Sequence, residues 1–222
     1  MEFYLDSADV EKIRRCCENL PVSGVTTNPS ILLKAGRRDV WQVLSEIKSI
    51  GPDPHVQLTA QTYEEMLREA ETVRARLGAE TPVKVPVTEE GLRCIKHLKK
   101  DGYTVTATAI YTLAQAYMAT AAGADYLAPY YNRIETLGGD AEGFIRTLRN
   151  VLDRDNSRTR ILAASFHRED QVLAALGAGA HIVTVSPDMY LQMLSSPHVA
   201  DALAKFDSDW VSLTGGKRLF EL

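Results

Sequence analysis

The feature that most constrains this chain is an eightfold alternation of short apolar runs with longer stretches of helical period. The apolar runs fall at Phe3–Leu5, Gly24–Thr26, Val56–Thr59, Val83–Val87, Thr104–Thr108, Tyr126–Pro129, Arg160–Ala164 and His181–Val185. Between them, segments such as Tyr63–Leu77, Glu89–Lys100, Thr112–Ala121, Gly143–Leu152 and Arg168–Leu176 space their apolar residues for one buried helix face. Strands joined by helices need crossover connections, which make neighbouring strands parallel. Eight such units without a break in composition predict one domain over 1–222, an α/β fold of the closed (β/α)8 or TIM-barrel type. An open doubly wound sheet fits less well, because no glycine-rich dinucleotide turn follows the first run.

One element is left over. After the eighth unit, Ser196-Pro197 opens an extra C-terminal helix, about 197–210, with Val199, Leu203, Phe206 and Trp210 on one stripe. Proline suits a first helical turn, and the spacing makes a single apolar face. That face must be covered, either by the chain's own barrel or by a neighbouring subunit.

Charge and cysteines exclude several classes. A net charge of −4 gives no general attraction to nucleic acid or to an anionic membrane, so neither is an expected partner. No apolar run approaches the roughly 20 residues that span a bilayer, and Met1–Asp6 lacks the basic-then-apolar order of a signal peptide. A cytoplasmic location is expected. Cys16, Cys17 and Cys94 form neither a disulfide framework nor a CxxC pair for zinc. Free thiols on helices are expected instead, with no metal and no cofactor.

In barrels of this kind the reactive side chains sit at the C-terminal ends of strands. Lys84 is the residue that stands out. Val83, Val85 and Val87 share one strand face, so Lys84 takes the other. Against the helix layer it would be an uncompensated charge; inside the barrel mouth, desolvation would lower its pKa and make an amine nucleophile. A strand-end lysine reaching solvent is the competing reading. Pro82 and Pro86, which remove ladder donors from a central strand, are unusual on either reading.

Other strand ends add polar groups. Asp6 is either a site carboxylate or the N-cap of the helix beginning near Asp9. Asn28, in Thr26-Thr27-Asn28-Pro29-Ser30, is a site residue or simple turn chemistry. Gln57, Thr108 and Tyr130 each suit a satisfied core position, but together they ring a lysine. Arg133, Ser165 and nearby His167 could hold a phosphate; a loop salt bridge is the plainer role for Arg133, and a solvent-facing position the plainer one for His167.

These residues carry a family resemblance. Val25-Thr26-Thr27-Asn28-Pro29-Ser30 resembles the transaldolase signature, Val83-Lys84-Val85-Pro86 the segment around the Schiff-base lysine, and Ala163-Ala164-Ser165-Phe166 the phosphate-side motif. The motifs keep their order and the match runs from Tyr4 to about Trp210. The length is similar to the short subfamily, which contains fructose-6-phosphate aldolases and short transaldolases. The resemblance implies a (β/α)8 barrel without metal, in which Lys84 forms an imine with dihydroxyacetone or a ketose. It implies that Asp6 and Asn28 contact donor hydroxyls and that Thr108 holds a catalytic water.

Within the family, transaldolases carry a Glu on the third strand and Ser-Pro-Phe after the sixth. Gln57 and Ala128-Pro129-Tyr130 stand here instead, as in the aldolases. Gln57 can only orient a water, so the proton role passes to Tyr130, whose phenol beside an iminium cation would have a lowered pKa. Arg133 matches the family's phosphate pattern, whereas His167 replaces its usual Lys or Arg.

Three functions follow. The first is a class I aldolase that cleaves fructose 6-phosphate or a similar ketose into dihydroxyacetone and glyceraldehyde 3-phosphate. The second is a transaldolase passing the same three-carbon unit to an aldose phosphate. The third is a barrel that only binds sugar phosphates. In the subfamily the C-terminal helix reaches onto an adjacent subunit, so a homo-oligomer, a pentamer or decamer, is expected.

Overall fold

The computed structural model describes every residue except Arg37 and Arg38. β1 (Glu2–Asp6) leads into α1 (Val10–Asn19), and β2 (Gly24–Thr26) into α2 (Pro29–Lys34) and α3 (Val40–Ile50). β3 (Pro54–Gln57) is followed by α4 (Tyr63–Leu77), β4 (Val83–Pro86) by α5 (Glu89–Lys100) and β5 (Val105–Ile110) by α6 (Leu113–Ala121). β6 (Tyr126–Pro129) precedes α7 (Tyr131–Thr136) and α8 (Ala141–Arg154), and β7 (Arg160–Ala163) precedes α9 (Glu169–Gly177). β8 (Ile182–Val185) is followed by α10 (Pro187–Leu194) and α11 (Pro197–Thr214). The strands close in sequence order, with β8 pairing parallel to β1. The chain is a (β/α)8 TIM barrel with an additional C-terminal helix.

The chain divides into two compact units, Met1–Pro187 with the barrel and Asp188–Leu222 with most of α10 and all of α11. In the second unit, α11 starts on Pro197 and buries none of its residues; Leu203 and Phe206 are 60% and 63% exposed. Trp210 behaves differently from the rest of its stripe. Its indole N–H donates to the Lys217 carbonyl at 2.8 Å, folding the ring over the unit's own last turn.

Sequence and structure differ where helices are short. β2 and β6 are each followed by two helices, and the first of each pair, α2 and α7, has only six residues. Six residues are fewer than two turns, too few to display a 3.6-residue period. Arg133 therefore sits on a helix rather than in a loop. β3 runs from Pro54, two residues earlier than its apolar run, and β5 continues to Ile110 through Ala109, a non-glycine at φ +56°. α1 is capped by Asp9, whose carboxylate accepts Lys12 N–H at 3.1 Å, so Asp6 is not the cap.

Alternation along the strands sorts the side chains. Leu5, Val25, Val83, Val85 and Val105 are fully buried, and complete burial of such a side chain contributes about 1.5–3 kcal/mol. The opposite parity points into the barrel, as contacts between non-adjacent strands show. Thr26 meets Thr184 at 2.7 Å, and the His55 ring meets Tyr4 and Tyr126 edge-on at 5.5 and 5.2 Å between centroids. At the N-terminal ends, Arg160 donates to Glu2 at 2.6 Å. Gly24 makes room for this filling. A Cβ there would lie 2.3 Å from the Tyr4 ring.

The two prolines flank the inward-facing lysine, Pro82 just before β4 and Pro86 at its end. Lys84 registers with Gln57, the last residue of β3, and its carbonyl accepts Leu58 N–H at 2.9 Å. By the alternation of parallel ladders Pro82 and Pro86 face the same neighbour, β3, and the Pro82 carbonyl still accepts Val56 N–H at 2.9 Å. On the other side Val83 and Val87 still donate to Thr104 and Thr108 of the β5 segment.

Candidate active site

Lys84 points inward from β4 and is 4% exposed. Its Nζ donates to the Thr27 carbonyl at 2.8 Å, just past the end of β2. Burial pulls its pKa down from the ordinary lysine value, while the charge of Asp6 works in the opposite direction. Asp6, from the end of β1, has its carboxyl pushed up by burial, with Lys84 and a hydrogen bond from Thr26 acting downward. The Thr26 hydroxyl donates to Asp6 Oδ1 at 2.6 Å. Because that hydroxyl has one proton, Thr184 must be the donor in the 2.7 Å Thr26–Thr184 bond. The hydroxyl chain runs Thr184 to Thr26 to Asp6 and turns the carboxylate toward Lys84.

Beneath the amine, the interior is polar yet neutral. His55 Nδ1 bonds the Thr106 hydroxyl at 2.8 Å, and Thr106 is the register partner of Lys84 on β5. Burial, aided by the Lys84 charge, takes the imidazole's pKa down to about 3. An uncharged ring is therefore held under the lysine stem.

The opposite wall carries Tyr130, the residue between β6 and α7. Its hydroxyl lies 3.1 Å from Thr108 Oγ1, and Tyr111 packs edge-on against its ring at 5.6 Å. The backbone supports this placement. β5 slips register against β6 between Ala107 and Ile110, where Ala109 takes its left-handed conformation, and such local strain is characteristic of functional sites. Burial pushes the Tyr130 phenol up in pKa, only partly offset by the hydrogen bond with Thr108. The lowering expected from the sequence belongs to the state in which an iminium cation stands beside the ring. Gln57 supplies a buried amide oxygen with no hydrogen-bond partner among the described residues.

These groups converge on a cavity of about 460 Å³ at the C-terminal end of the strands. Asp6, Asn28, Gln57 and Lys84 line one side, and Tyr130, Arg133, Ser165 and His167 line the other. Asn28 also does what its turn motif suggests, accepting Ile31 N–H at 3.0 Å as the N-cap of α2. Ser165 sits at φ +63°, and its carbonyl is tied to Asn132 N–H at 3.0 Å. Two expected residues do not line the cavity. Ala128 is buried in β6, and Thr108 reaches the site only through Tyr130. Thr184, Ser186 and Lys34, which sequence reasoning passed over, do line it. For Thr184 a signal existed: it breaks a valine-rich run with a hydroxyl at inward parity. A larger groove of about 830 Å³ lies beside Gln57, but leucines such as Leu32, Leu33 and Leu44 dominate it. The polar chemistry belongs to the smaller cavity.

Among the described residues no group of three or more His, Cys, Asp or Glu is arranged to hold a metal ion. No disulfide joins the three cysteines; Cys16 and Cys94 are buried and Cys17 half-buried. No described helix is long and apolar enough to cross a membrane.

Comparison with known proteins agrees with this geometry. A solved structure from Burkholderia cenocepacia named "putative phosphonomutase" superposes with a TM-score of 0.59 over 91% of each chain, at 17% identity. That likeness concerns the fold alone. A curated Streptococcus pneumoniae protein named "Probable fructose-6-phosphate aldolase" is 43% identical over 222 residues, covering 99% of this chain and all of that one. The family profile described as "Transaldolase/Fructose-6-phosphate aldolase" matches residues 3–216, which takes in every cavity-lining side chain named above. A barrel with a desolvated lysine at its mouth, matched over nearly its whole length, belongs to the transaldolase/fructose-6-phosphate aldolase family.

Proposed function

We propose that the protein is a class I aldolase that reversibly cleaves fructose 6-phosphate, or a similar ketose, into dihydroxyacetone and glyceraldehyde 3-phosphate. The observation that carries this is Lys84: a buried amine, lowered in pKa, beside a carboxyl raised in pKa. Both shifts favour passing the ammonium proton to Asp6, which leaves a nucleophile. The neutral amine attacks the C2 ketone; the carbinolamine loses water, with Tyr130 as proton donor, and an iminium forms. That cation now lowers the phenol's pKa, so the phenolate takes the proton of the C4 hydroxyl. The C3–C4 bond breaks, its electron pair forms the C2=C3 enamine, and glyceraldehyde 3-phosphate leaves. Protonation at C3 and addition of water release dihydroxyacetone and regenerate Lys84.

The remaining residues have supporting roles. Asp6 and Asn28 hold donor hydroxyls, Gln57 holds the water together with Thr108, which acts through its bond to Tyr130, and Arg133, Ser165 and His167 receive the phosphate. The iminium formed on Lys84 is the electron sink, so no cofactor or metal is required. The partners are small sugars or sugar phosphates. The reading places the enzyme in cytoplasmic carbohydrate metabolism as a homo-oligomer assembled through α11.

Transaldolase chemistry shares every step up to the enamine and then waits for an acceptor aldehyde. The Tyr130–Thr108 pair and the uncharged Gln57 favour protonation and release instead. The deciding experiment is incubation with fructose 6-phosphate alone: dihydroxyacetone should accumulate, whereas release only upon adding an aldose phosphate would make the protein a transferase. Borohydride with dihydroxyacetone should leave a reduced adduct on the Lys84 peptide; its absence would reduce the protein to a binding barrel.

A further inference from the structure

Gln171 lies in α9, outside the cavity and 1% exposed, yet its side-chain amide makes four hydrogen bonds. Its Oε1 accepts the backbone N–H groups of His167 at 2.8 Å and Arg168 at 3.2 Å. Its Nε2 donates to Asn132 Oδ1 at 2.9 Å and Glu135 Oε2 at 2.5 Å. The amide can face only this way, because backbone N–H groups cannot accept and a carboxylate cannot donate. All the capacity of the group is used.

The four partners belong to the two segments that flank the phosphate end of the cavity. Asn132 and Glu135 bracket Arg133 on α7, while His167 and Arg168 continue the strand end from Ser165. A further bond, Asn132 N–H to the Ser165 carbonyl, runs alongside. Arg168 itself is engaged by Asp170 at 3.0 Å and faces Glu135 at 3.6 Å. Arg133, Ser165 and His167 are thus the groups offered to an anion, and one buried amide sets the gap between them.

We propose that Gln171 is a positioning residue that fixes Arg133 against the Ser165–His167 loop and so determines affinity for the substrate's phosphate group. The proposal rests on the cavity being a sugar-phosphate site. Glutamate at this position keeps both acceptor contacts, loses both donor contacts and sets a second carboxylate against Glu135. Methionine fills the volume with neither.

Two measurements test it on the full chain. In the first, inorganic phosphate is titrated while the His167 and Arg168 amide NMR signals are followed. In the second, aldol addition of dihydroxyacetone is measured with glyceraldehyde 3-phosphate and with unphosphorylated glyceraldehyde. Gln171→Glu and Gln171→Met should weaken phosphate binding and raise KM for glyceraldehyde 3-phosphate about tenfold, with kcat within about twofold and KM for glyceraldehyde unmoved. Unchanged phosphate affinity in a variant that melts like the wild type overturns the proposal. So does an equal rise in KM for both aldehydes, a fall in kcat alone, or a wild type whose amides ignore phosphate. Borohydride trapping on Lys84 is scored separately. A missing adduct defeats the aldolase reading, while the phosphate titration still answers for Gln171.

Discussion

The Tyr130 hydroxyl stands 3.1 Å from Thr108 Oγ1, bridging β5 and the residue after β6 just where those strands slip register. Either oxygen can donate, so the pair can pass one proton between its two partners without rearrangement. Replacing Tyr130 with Phe should lower acceptor-free cleavage by about 10²–10⁴, the usual contribution of a positioned acid–base. The reduced adduct on Lys84 should still form, but more slowly, because Tyr130 also serves the loss of water from the carbinolamine. Cleavage within tenfold of the wild type would remove Tyr130 from the proton path.

Lys84→Met should abolish both adduct and cleavage. It should also lower the melting temperature, because the Asp6 carboxyl stays buried without its neighbouring cation and the Thr27 carbonyl loses its donor. An unchanged or raised midpoint would show that the lysine contributes no net stability.

His55 gives the fold a pH dependence whose sign can be worked out. The folded pKa is about 3 and the ordinary value 6.5. Between these values the unfolded chain binds a proton that the folded chain does not, so stability is lost as pH falls through this window. The loss is on the order of 2–4 kcal/mol at the acid end. His55→Phe orphans Thr106 at every pH but removes the titration. Urea melts from pH 7 to pH 4 should therefore show a flatter curve, and parallel curves for the two proteins would refute the assignment.

Gly24→Ala brings a methyl into the Tyr4 ring at a distance no relaxation of β2 can absorb cheaply. Overpacking of this kind costs about 1–3 kcal/mol, measurable as a shift in denaturant midpoint. A neutral substitution would mean that the barrel filling is looser than its contacts indicate.

Ending the chain at Ser196 removes α11 and its exposed Val199, Leu203 and Phe206. If that face joins subunits, the truncated protein should elute from gel filtration at a smaller size. The same elution volume per subunit count would end the idea.

The fold was legible because period two and period 3.6 alternate eight times with little noise. Boundaries moved where chain geometry, not hydrophobicity, decided them, as at Ala109 and at the six-residue helices. Lys84, Gln57, Asn28 and Tyr130 were legible as polar interruptions at strand ends. His55 was not, since its partners Tyr4, Thr106 and Tyr126 come from three other strands and register is not written in any one of them. Gln171 escaped notice for a related reason: on a helix it looks like any surface glutamine until the ends of four other groups are placed around it.

The rings of Tyr4, His55 and Tyr126, with Arg160 and Glu2 behind them, stopper the barrel below Lys84. Among the described residues, the doorway to the amine is the cavity at the C-terminal end of the strands. In an aldolase built this way the first aldehyde must vacate that doorway before water or a second aldehyde can approach the enamine. Arrival and departure are forced into turns, so initial-rate plots at varied donor and acceptor should run parallel, and the departing aldehyde should compete with its own replacement.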